Sequence, residues 1–212
     1  MMQSLRKSLR QVLPPSVYVI LAAIALAGIE TTWLIVERFG GYGQPGDNVL
    51  MVRDNIVVRL LAMYGVYRVV AFHPLSRPDY RDWLKRTPWT RELPLPVGPV
   101  HPTWADVVVV GAVAALLADS RVLLDPEMRR PSVIGAILTY VLVHATSLSM
   151  FVWLTQPRRL AYLSSFLLAL TLQLGAWAPL AAFVVLIAGW SVALVGLSIS
   201  WELFPWDETV DW

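Results

Sequence analysis

The feature that most constrains this chain is a series of apolar segments, each about long enough to cross a lipid bilayer. A hydrocarbon core of about 30 Å requires about 20 helical residues at about 1.5 Å each. Because backbone polar groups in lipid must be bonded within the protein, such segments form helices. The sequence therefore predicts an all-α, polytopic integral membrane bundle of about six transmembrane helices. The predicted spans are 16–36, 55–72, 104–124, 132–154, 160–177 and 178–201.

Composition agrees with a membrane protein and excludes several other classes. Hydrophobic residues make up 57% of the 212 positions and charged residues 15%, against about 25% charged in an ordinary soluble domain. A soluble domain of this size could not bury so much apolar surface. The chain contains no cysteine, which excludes a disulfide scaffold, a thiolate metal site and a cysteine nucleophile.

The sequence leaves open how many spans there are. Segment 55–72 is the least hydrophobic because it contains Arg59 and Arg68, and five spans result if it lies in the interface. Five also result if the last two segments, separated by a tight turn at 175–179, form a broken re-entrant pair. The N-terminal residues look like a secretory signal, but an apolar run that continues through Val36 is too long for one. We therefore predict a retained anchor.

The distribution of lysine and arginine predicts the orientation, because cytoplasmic loops of membrane proteins carry an excess of both. With six spans and the N-terminus inside, the cytoplasmic segments hold ten of the 17 basic residues and the outer loops five. Both termini are then cytoplasmic, and the bias favours a multi-pass protein of a bacterial cytoplasmic, or inner, membrane. Tryptophans at the predicted span ends agree with this placement: Trp33, Trp104, Trp153, Trp177 and Trp201.

The two ends of the chain outside the spans have different characters. In segment 1–15, Leu5, Leu9 and Val12 recur at helical spacing among basic residues, which predicts an interfacial amphipathic helix on the inner surface. Segment 202–212 is an acidic, aromatic tail. We predict that it is solvated, with its tryptophans at the interface. The alternative is attraction to the basic loop on the same side, where exposed ion pairs contribute about 0–1 kcal/mol.

The longest connection is the cytoplasmic, proline-rich loop 73–103, which holds seven of the 15 prolines. A short helix is predicted at 79–87, between Pro78 and Pro88, because proline suits the first turn of a helix. Two interpretations remain open, and they do not exclude each other. The helix rests on anionic headgroups, or it docks a cytoplasmic partner. The candidate docking residues are Tyr80, Trp83, Leu84 and Arg86.

Charged residues inside a span are costly and usually pair or line a path. Glu30 lies about 9 Å below the outer end of the first span, and Arg59 about 6 Å below that of the second. Antiparallel neighbours would bring them to one level, so we predict a buried Glu30–Arg59 ion pair. A pair that locks the bundle is favoured over a transport role. Arg68, close to the inner end of the second span, is predicted to snorkel to the headgroups.

The fourth span carries a polar stripe. Tyr140, His144 and Ser147 follow an i, i+4, i+7 pattern and share one helix face. A single histidine at this depth is more often a hydrogen-bonded packing residue than a proton carrier, and we favour the packing role for His144.

The sequence offers no residues for catalysis or for a cofactor. No two of the three histidines share a span, so a bis-histidine haem or a di-iron site has no support. Motifs of serine hydrolases, zinc proteases and phosphate loops are absent from the sequence, as is any nucleic-acid module. We expect no catalytic residue, no metal, no cofactor and no enzymatic activity. The expected partners are the lipid bilayer and other protein subunits, either a cytoplasmic ATPase or integral membrane proteins.

In layout the chain resembles the membrane half of an ABC-2-type exporter. The shared features are the N-terminal surface helix, about six spans, the short helix in the loop after the second span, and the tight turn between the last two spans. In such exporters the loop helix contacts a separate ATP-hydrolysing subunit, so the resemblance implies that 79–87 is the coupling segment. The chain departs from that family in its short outer loops and in lacking a large extracellular domain.

Two functions follow as hypotheses. The first is an integral membrane subunit of a transport system, permease-like and working with a separate ATPase chain. The second is a non-catalytic accessory or scaffold subunit of a larger membrane complex, for which a small chain with a tryptophan-rich acidic tail is suited. Glu30, Arg59 and His144 distinguish the two. Transport is favoured if they line a water-accessible cavity, and a scaffold is favoured if they are dry and mutually satisfied.

Overall fold

The computed structural model describes residues 12–39, 45–115, 130–155, 158–175 and 177–206. The described residues form seven α-helices and one short 3-10 helix, η1 (Pro74–Ser76), and none of them lies in a strand. The all-α class predicted from the sequence is confirmed. The α-helices are α1 (Ser16–Phe39), α2 (Pro45–Val70), α3 (Pro78–Arg86), α4 (Trp104–Ala115), α5 (Arg130–Trp153), α6 (Arg158–Leu174) and α7 (Pro179–Glu202).

Two helices among the described residues are long and apolar enough to cross a membrane, judged by length and composition alone. They are Val133–Trp153 within α5 and Pro179–Glu202, which is α7. Two shorter apolar helical stretches are Val17–Gly28, within α1, and Trp104–Ala115, which is α4. This finding is compatible with a membrane protein. The six spans and the cytoplasmic termini stay predictions.

Three predicted features extend beyond the described residues. The surface helix at 1–15 is described only from residue 12, and the third span at 104–124 only as far as residue 115. Of the tail at 202–212, the structure describes 202–206. The remaining parts of these three predictions lie outside the described residues.

Local sequence explains where α3 and α4 begin and end. α3 begins at Pro78, as expected for a residue whose missing N–H is not needed in the first turn, and it confirms the helix predicted between the two prolines. At the other end, the Thr87 hydroxyl donates to the Leu84 carbonyl at 2.9 Å, and the next residue is a proline. α4 begins after Thr103, whose N–H and hydroxyl donate to Asp106 Oδ2 at 2.7 and 2.8 Å. This is the acceptor half of a capping box.

The chain divides into two compact units, each made of two stretches of sequence. Unit 1 comprises Met1–Tyr64 and Thr103–Tyr140. Unit 2 comprises Gly65–Pro102 and Val141–Trp212, and it therefore contains the proline-rich loop up to residue 102 together with the C-terminal helices.

Unit 1 contains a buried carboxylate that joins two of its helices. Oδ1 of the buried Asp106 accepts a 2.8 Å hydrogen bond from the Tyr64 hydroxyl, while Oδ2 accepts the two bonds from Thr103. Tyr64 in turn stacks on Tyr140 with ring centroids 5.7 Å apart. Because a buried charge is tolerated when hydrogen bonds replace its water, Asp106 links the start of α4 to α2.

Unit 2 is built on a core of apolar side chains shared by its helices and the loop. Close approach of α7 to α5 uses Gly196, where a Cβ atom would lie 2.8 Å from Val152 Cγ1. Leu75 and Leu95 of the loop also pack against this core, so the loop lies on the helices of unit 2. The buried members of the core are Val69, Phe72, Val100, Leu148, Phe151, Val152, Ala161, Ala193 and Leu197.

Candidate functional site

The helix α3, which belongs to unit 2, has one face buried and the others accessible. Its buried face is centred on Leu84, which is 1% exposed. At about 100° per residue, Tyr80 and Trp83 lie on one flank of Leu84, and Arg81 and Lys85 lie on the other. The outer face is charged and exposed: Asp79, Asp82 and Arg86.

Trp83 is the main apolar side chain that α3 offers to a partner. It is 49% exposed, and its ring stacks on that of Tyr80 with centroids 6.2 Å apart and planes 17° apart. Burial raises the pKa of the Tyr80 hydroxyl, while the backbone of Val97 and the charge of Arg77 act in the opposite direction. An aromatic side chain held in place by a stacked neighbour offers a large contact area with little further loss of entropy on binding.

The structure places the four predicted docking residues on different faces of α3. Tyr80 and Trp83 share the accessible aromatic flank, and Arg86 is exposed on the outer face. Leu84 is 1% exposed, so it is not accessible to a partner. A partner of α3 would therefore contact the other three residues, and this docking role stays a prediction.

An aromatic cluster surrounds His73, the residue that precedes η1. The ring of the fully buried His73 stacks on three others, with centroid distances of 4.5 Å to Phe151, 5.2 Å to Trp201 and 5.3 Å to Trp206. These rings come from the end of α5, the end of α7 and the segment after α7. The aromatic cluster consists of His73, Trp89, Phe151, Trp201, Phe204 and Trp206.

The imidazole of His73 is held in its neutral form. Its Nδ1 accepts a 3.2 Å hydrogen bond from the Leu75 N–H and thereby caps η1, so the proton of the neutral ring lies on Nε2. Burial lowers the pKa of His73 to about 3. Protonation of Nδ1 would break the cap and place a charge in an apolar site. At neutral pH His73 is therefore a capping and packing residue.

The segment that follows α7 folds back onto the helix end. Trp206 is 5% exposed, and its indole N–H donates to the Ser200 carbonyl at 2.6 Å. Phe204 contacts Trp206 edge-on at 4.9 Å and Trp89 edge-on at 5.2 Å. The prediction of a solvated tail is therefore wrong at Trp206, because a tryptophan whose N–H finds an acceptor can be buried.

The far end of the loop is fixed by Arg68 of α2. This side chain is fully buried, and its Nη2 donates to the carbonyls of Pro99 and His101 at 3.0 and 3.3 Å. The guanidinium carbon also lies 4.5 Å from the centroid of the Phe72 ring. The prediction that Arg68 snorkels to the headgroups is wrong, because the returning loop brings carbonyl acceptors to it within unit 2.

One ion pair also joins the loop to the tail. Arg91 pairs with Glu202, the first residue of segment 202–212, and both side chains are about half exposed. The attraction between the acidic tail and the basic loop, the alternative predicted from the sequence, is present at this pair. Exposed pairs contribute about 0–1 kcal/mol, so the aromatic contacts are the stronger link.

The members of the polar stripe on α5 contact different partners. Nδ1 of the fully buried His144 accepts a 3.2 Å hydrogen bond from the Trp190 indole N–H, which joins α5 to α7. The Ser147 hydroxyl donates to a carbonyl of its own helix at 2.9 Å. Tyr140 is buried in unit 1, where it stacks on Tyr64. The contact of His144 with Trp190 agrees with a packing role.

The predicted Glu30–Arg59 ion pair stays a prediction. Glu30 lies in α1 and Arg59 in α2, where the Arg59 side chain is exposed. The side chain of Glu30 lies outside the part of the chain whose side chains are described. Within the described ranges, no group of three or more histidine, aspartate or glutamate residues could hold a metal ion.

Sequence reasoning missed the aromatic cluster, although two signals for it are present. His73 comes directly after an apolar segment and is followed by Pro74, which favours a capped turn at that place. Three aromatic residues, Trp201, Phe204 and Trp206, lie close together at the end of the last apolar segment. Neither signal indicates that His73 and the aromatic residues at the end of the last segment contact each other.

Comparisons with protein-family models, with curated proteins and with solved structures find no match. The resemblance in layout to ABC-2-type exporters therefore stays a prediction, and the function is argued from the site.

Proposed function

We propose that the chain is an integral membrane subunit of a transport system, permease-like, that docks a separate ATP-hydrolysing chain through α3. The observation that carries the proposal is that α3 has one buried face and one exposed aromatic side chain. Leu84 anchors its buried face, while Trp83 remains half exposed beside Tyr80. The loop is also fixed at both ends, by the buried His73 at its start and by the hydrogen bonds of Arg68 near its end.

The packing of α3 matters because a surface helix transmits the movement of a bound partner only if its contacts with the rest of the protein hold it in place. Long loops are usually among the more mobile parts of a protein. This loop instead has buried or partly buried apolar side chains along its length: Leu75, Leu84, Leu95 and Val100. Such packing suits a coupling element, which is the role that the resemblance to ABC-2-type exporters implies.

The apolar surface of α7 supports the membrane location. Leu180, Phe183, Val184 and Val195 are exposed along this helix. Exposed apolar surface of this kind marks contact with lipid or with a protein partner. We propose α7 as one of six spans, and the charge distribution of the sequence supports cytoplasmic termini in a bacterial cytoplasmic membrane.

An accessory or scaffold subunit is the second candidate, and one observation favours it. His144 is fully buried and bonded to Trp190, so it does not line a water-accessible path within unit 2. A dry, bonded histidine is what a scaffold predicts. The two candidates differ in the partner that the chain retains.

The test is purification of the tagged chain from its native host in mild detergent, with mass spectrometry of the proteins that remain bound. The transport proposal predicts a stoichiometric ATPase that is lost when Trp83 is changed to Asp. Trp104→Asp is the matched control, because Trp104 is 83% exposed and lies outside the loop. Leu84 is unsuitable as a test position, since a charge there would disrupt the packing of α3.

Recovery of integral membrane partners alone, unaffected by Trp83→Asp, would contradict the transport proposal and favour the scaffold. Loss of the ATPase in both tryptophan variants would show that the loss is not specific to α3, and it would contradict docking through Trp83.

A further inference from the structure

We infer that the C-terminal end of α7 positions the docking helix. His73 lies just before η1 and α3, and Trp89 lies just after α3. Both rings contact the same side chain, Trp201, with centroids 5.2 Å and 5.9 Å away. The residues that precede and follow α3 in the sequence therefore contact the same side chain of α7. The functional meaning of this link rests on the proposed docking role, whereas the link itself does not.

The segment after α7 repeats the link on both flanks. Trp206 stacks on His73 with planes 16° apart and centroids 5.3 Å apart. Phe204 contacts Trp89 edge-on at 5.2 Å, and Phe204 and Trp206 contact each other at 4.9 Å. His73 and Trp89 thus each contact two aromatic rings within residues 201–206, and all these rings form one continuous set.

The consequence is that α3 follows the end of α7 when α7 moves. Aromatic rings have few rotatable bonds, and stacked and edge-on contacts fix both their distance and their orientation. Leu84 supplies a third point of attachment between the two flanks. Trp201, Phe204 and Trp206 are positioning residues for α3, and a partner bound to Trp83 would act on α7 through them.

The test uses the absence of cysteine from the chain. A single cysteine introduced as Leu84→Cys reports on the attachment of α3, because the side chain at this position is 1% exposed. Its rate of reaction with a maleimide is measured on the purified full chain in detergent. We expect Trp206→Ala to raise this rate at least tenfold. Trp177→Ala removes the same side chain at a site 88% exposed and should leave the rate unchanged.

A second reporter and a milder variant keep the test decisive if Trp206→Ala disturbs the whole unit. Leu148→Cys reports on the core of unit 2, where Leu148 is fully buried. Phe204→Ala removes one contact to the Trp89 flank and should raise labelling at position 84 several-fold without changing labelling at position 148. Unchanged labelling at position 84 in both Trp206→Ala and Phe204→Ala would overturn the inference. So would a rise at both reporter positions in Phe204→Ala.

The labelling test and the purification test fail separately. If Trp206→Ala and Phe204→Ala release α3 but the unaltered chain retains no ATPase, the positioning inference stands and the proposed function falls. If an ATPase is retained through Trp83 but labelling at position 84 does not change in either variant, the function stands and the positioning inference falls.

Discussion

Each unit contains a buried anchor next to the start of a helix, and the two anchors are built differently. Asp106 in unit 1 accepts from the backbone N–H of Thr103, and His73 in unit 2 accepts from that of Leu75. Beyond this common element, Asp106 is held by two further hydrogen bonds, from the hydroxyls of Tyr64 and Thr103. His73 is instead held by three stacked aromatic rings.

The difference predicts which changes each anchor tolerates. A buried carboxylate with three donors depends on the chemical identity of its oxygens, because its loss leaves the donors without partners. A stacked imidazole depends mainly on the shape of its surroundings, and another flat ring can replace part of the contact. We therefore expect the Asp106 anchor to be lost when its carboxylate is removed, and the aromatic cluster to be weakened when a single ring is removed.

The largest expected effect is on the carboxylate anchor. Asp106→Ala should lower the free energy of unfolding by about 4 kcal/mol, because the buried Tyr64 hydroxyl and the two partly buried donors of Thr103 lose their acceptor. For a chain of this size that corresponds to a fall in Tm of about 10 °C, measured by thermal unfolding in detergent. Asp79→Ala, at an exposed acid, is the control and should change stability by less than about 0.5 kcal/mol. A loss for Asp106→Ala no larger than that of the control would contradict the comparison.

The aromatic anchor should respond to loss of a ring. Trp206→Ala should destabilise by about 2–3 kcal/mol, below the usual cost of a buried tryptophan because the short segment after α7 can detach locally. Trp206→Phe keeps a ring against His73 and loses the hydrogen bond to Ser200, so it should cost about 1 kcal/mol. Thermal unfolding of the two variants checks this order. Equal losses would show that the hydrogen bond, and not the stacking, is decisive.

Only the aromatic anchor should give stability a dependence on pH near 6. The unfolded chain takes up a proton at His73 with a pKa near 6.5, while the folded chain does so only near pKa 3. Stability is therefore lost as the pH falls below about 6.5, by about 2 kcal/mol between pH 7.5 and 5, and the loss continues to about pH 3. His73→Phe should remove this component, which unfolding at the two pH values measures. Identical pH dependence in the variant and the unaltered chain would contradict the assignment.

The smallest expected effect separates ionic from aromatic contributions to the loop. Arg91→Ala removes the exposed pair with Glu202 and should cost less than about 1 kcal/mol. The difference between variant and unaltered chain should shrink in about 1 M salt, because exposed charges are screened. A loss as large as that of Trp206→Ala that shrinks in salt would show that the pair, and not the rings, holds the loop.

Local patterns were sufficient to predict several elements. The helix α3 follows from two prolines that bracket an amphipathic stretch, and α7 follows from a long apolar run that begins at Pro179. The start of α2 was not predicted from the sequence. This helix begins at Pro45, well before the apolar segment predicted at 55–72. Its first turns contain polar residues that an apolar window excludes, although nothing in them prevents a helix.

The candidate site could be predicted only in part, because its attachments are made over long distances in sequence. Tyr80 and Trp83 were recognised from helical spacing. The burial of Leu84 depends on which face of α3 is covered by the rest of the protein, and a helical wheel does not specify that. Likewise Arg68 is close to the end of a predicted span, where snorkelling is the local expectation, but its acceptors are the carbonyls of Pro99 and His101.

The most direct test of the central proposal, a multi-pass membrane protein with its docking loop inside the cell, is labelling of single cysteines. Thr90→Cys reports on the loop and Trp177→Cys on the turn between α6 and α7, and both positions are exposed. A membrane-impermeant maleimide is applied to intact cells and to permeabilised cells. We predict that Trp177→Cys reacts in intact cells and Thr90→Cys reacts only after permeabilisation. Reaction of Thr90→Cys in intact cells would contradict a cytoplasmic docking helix.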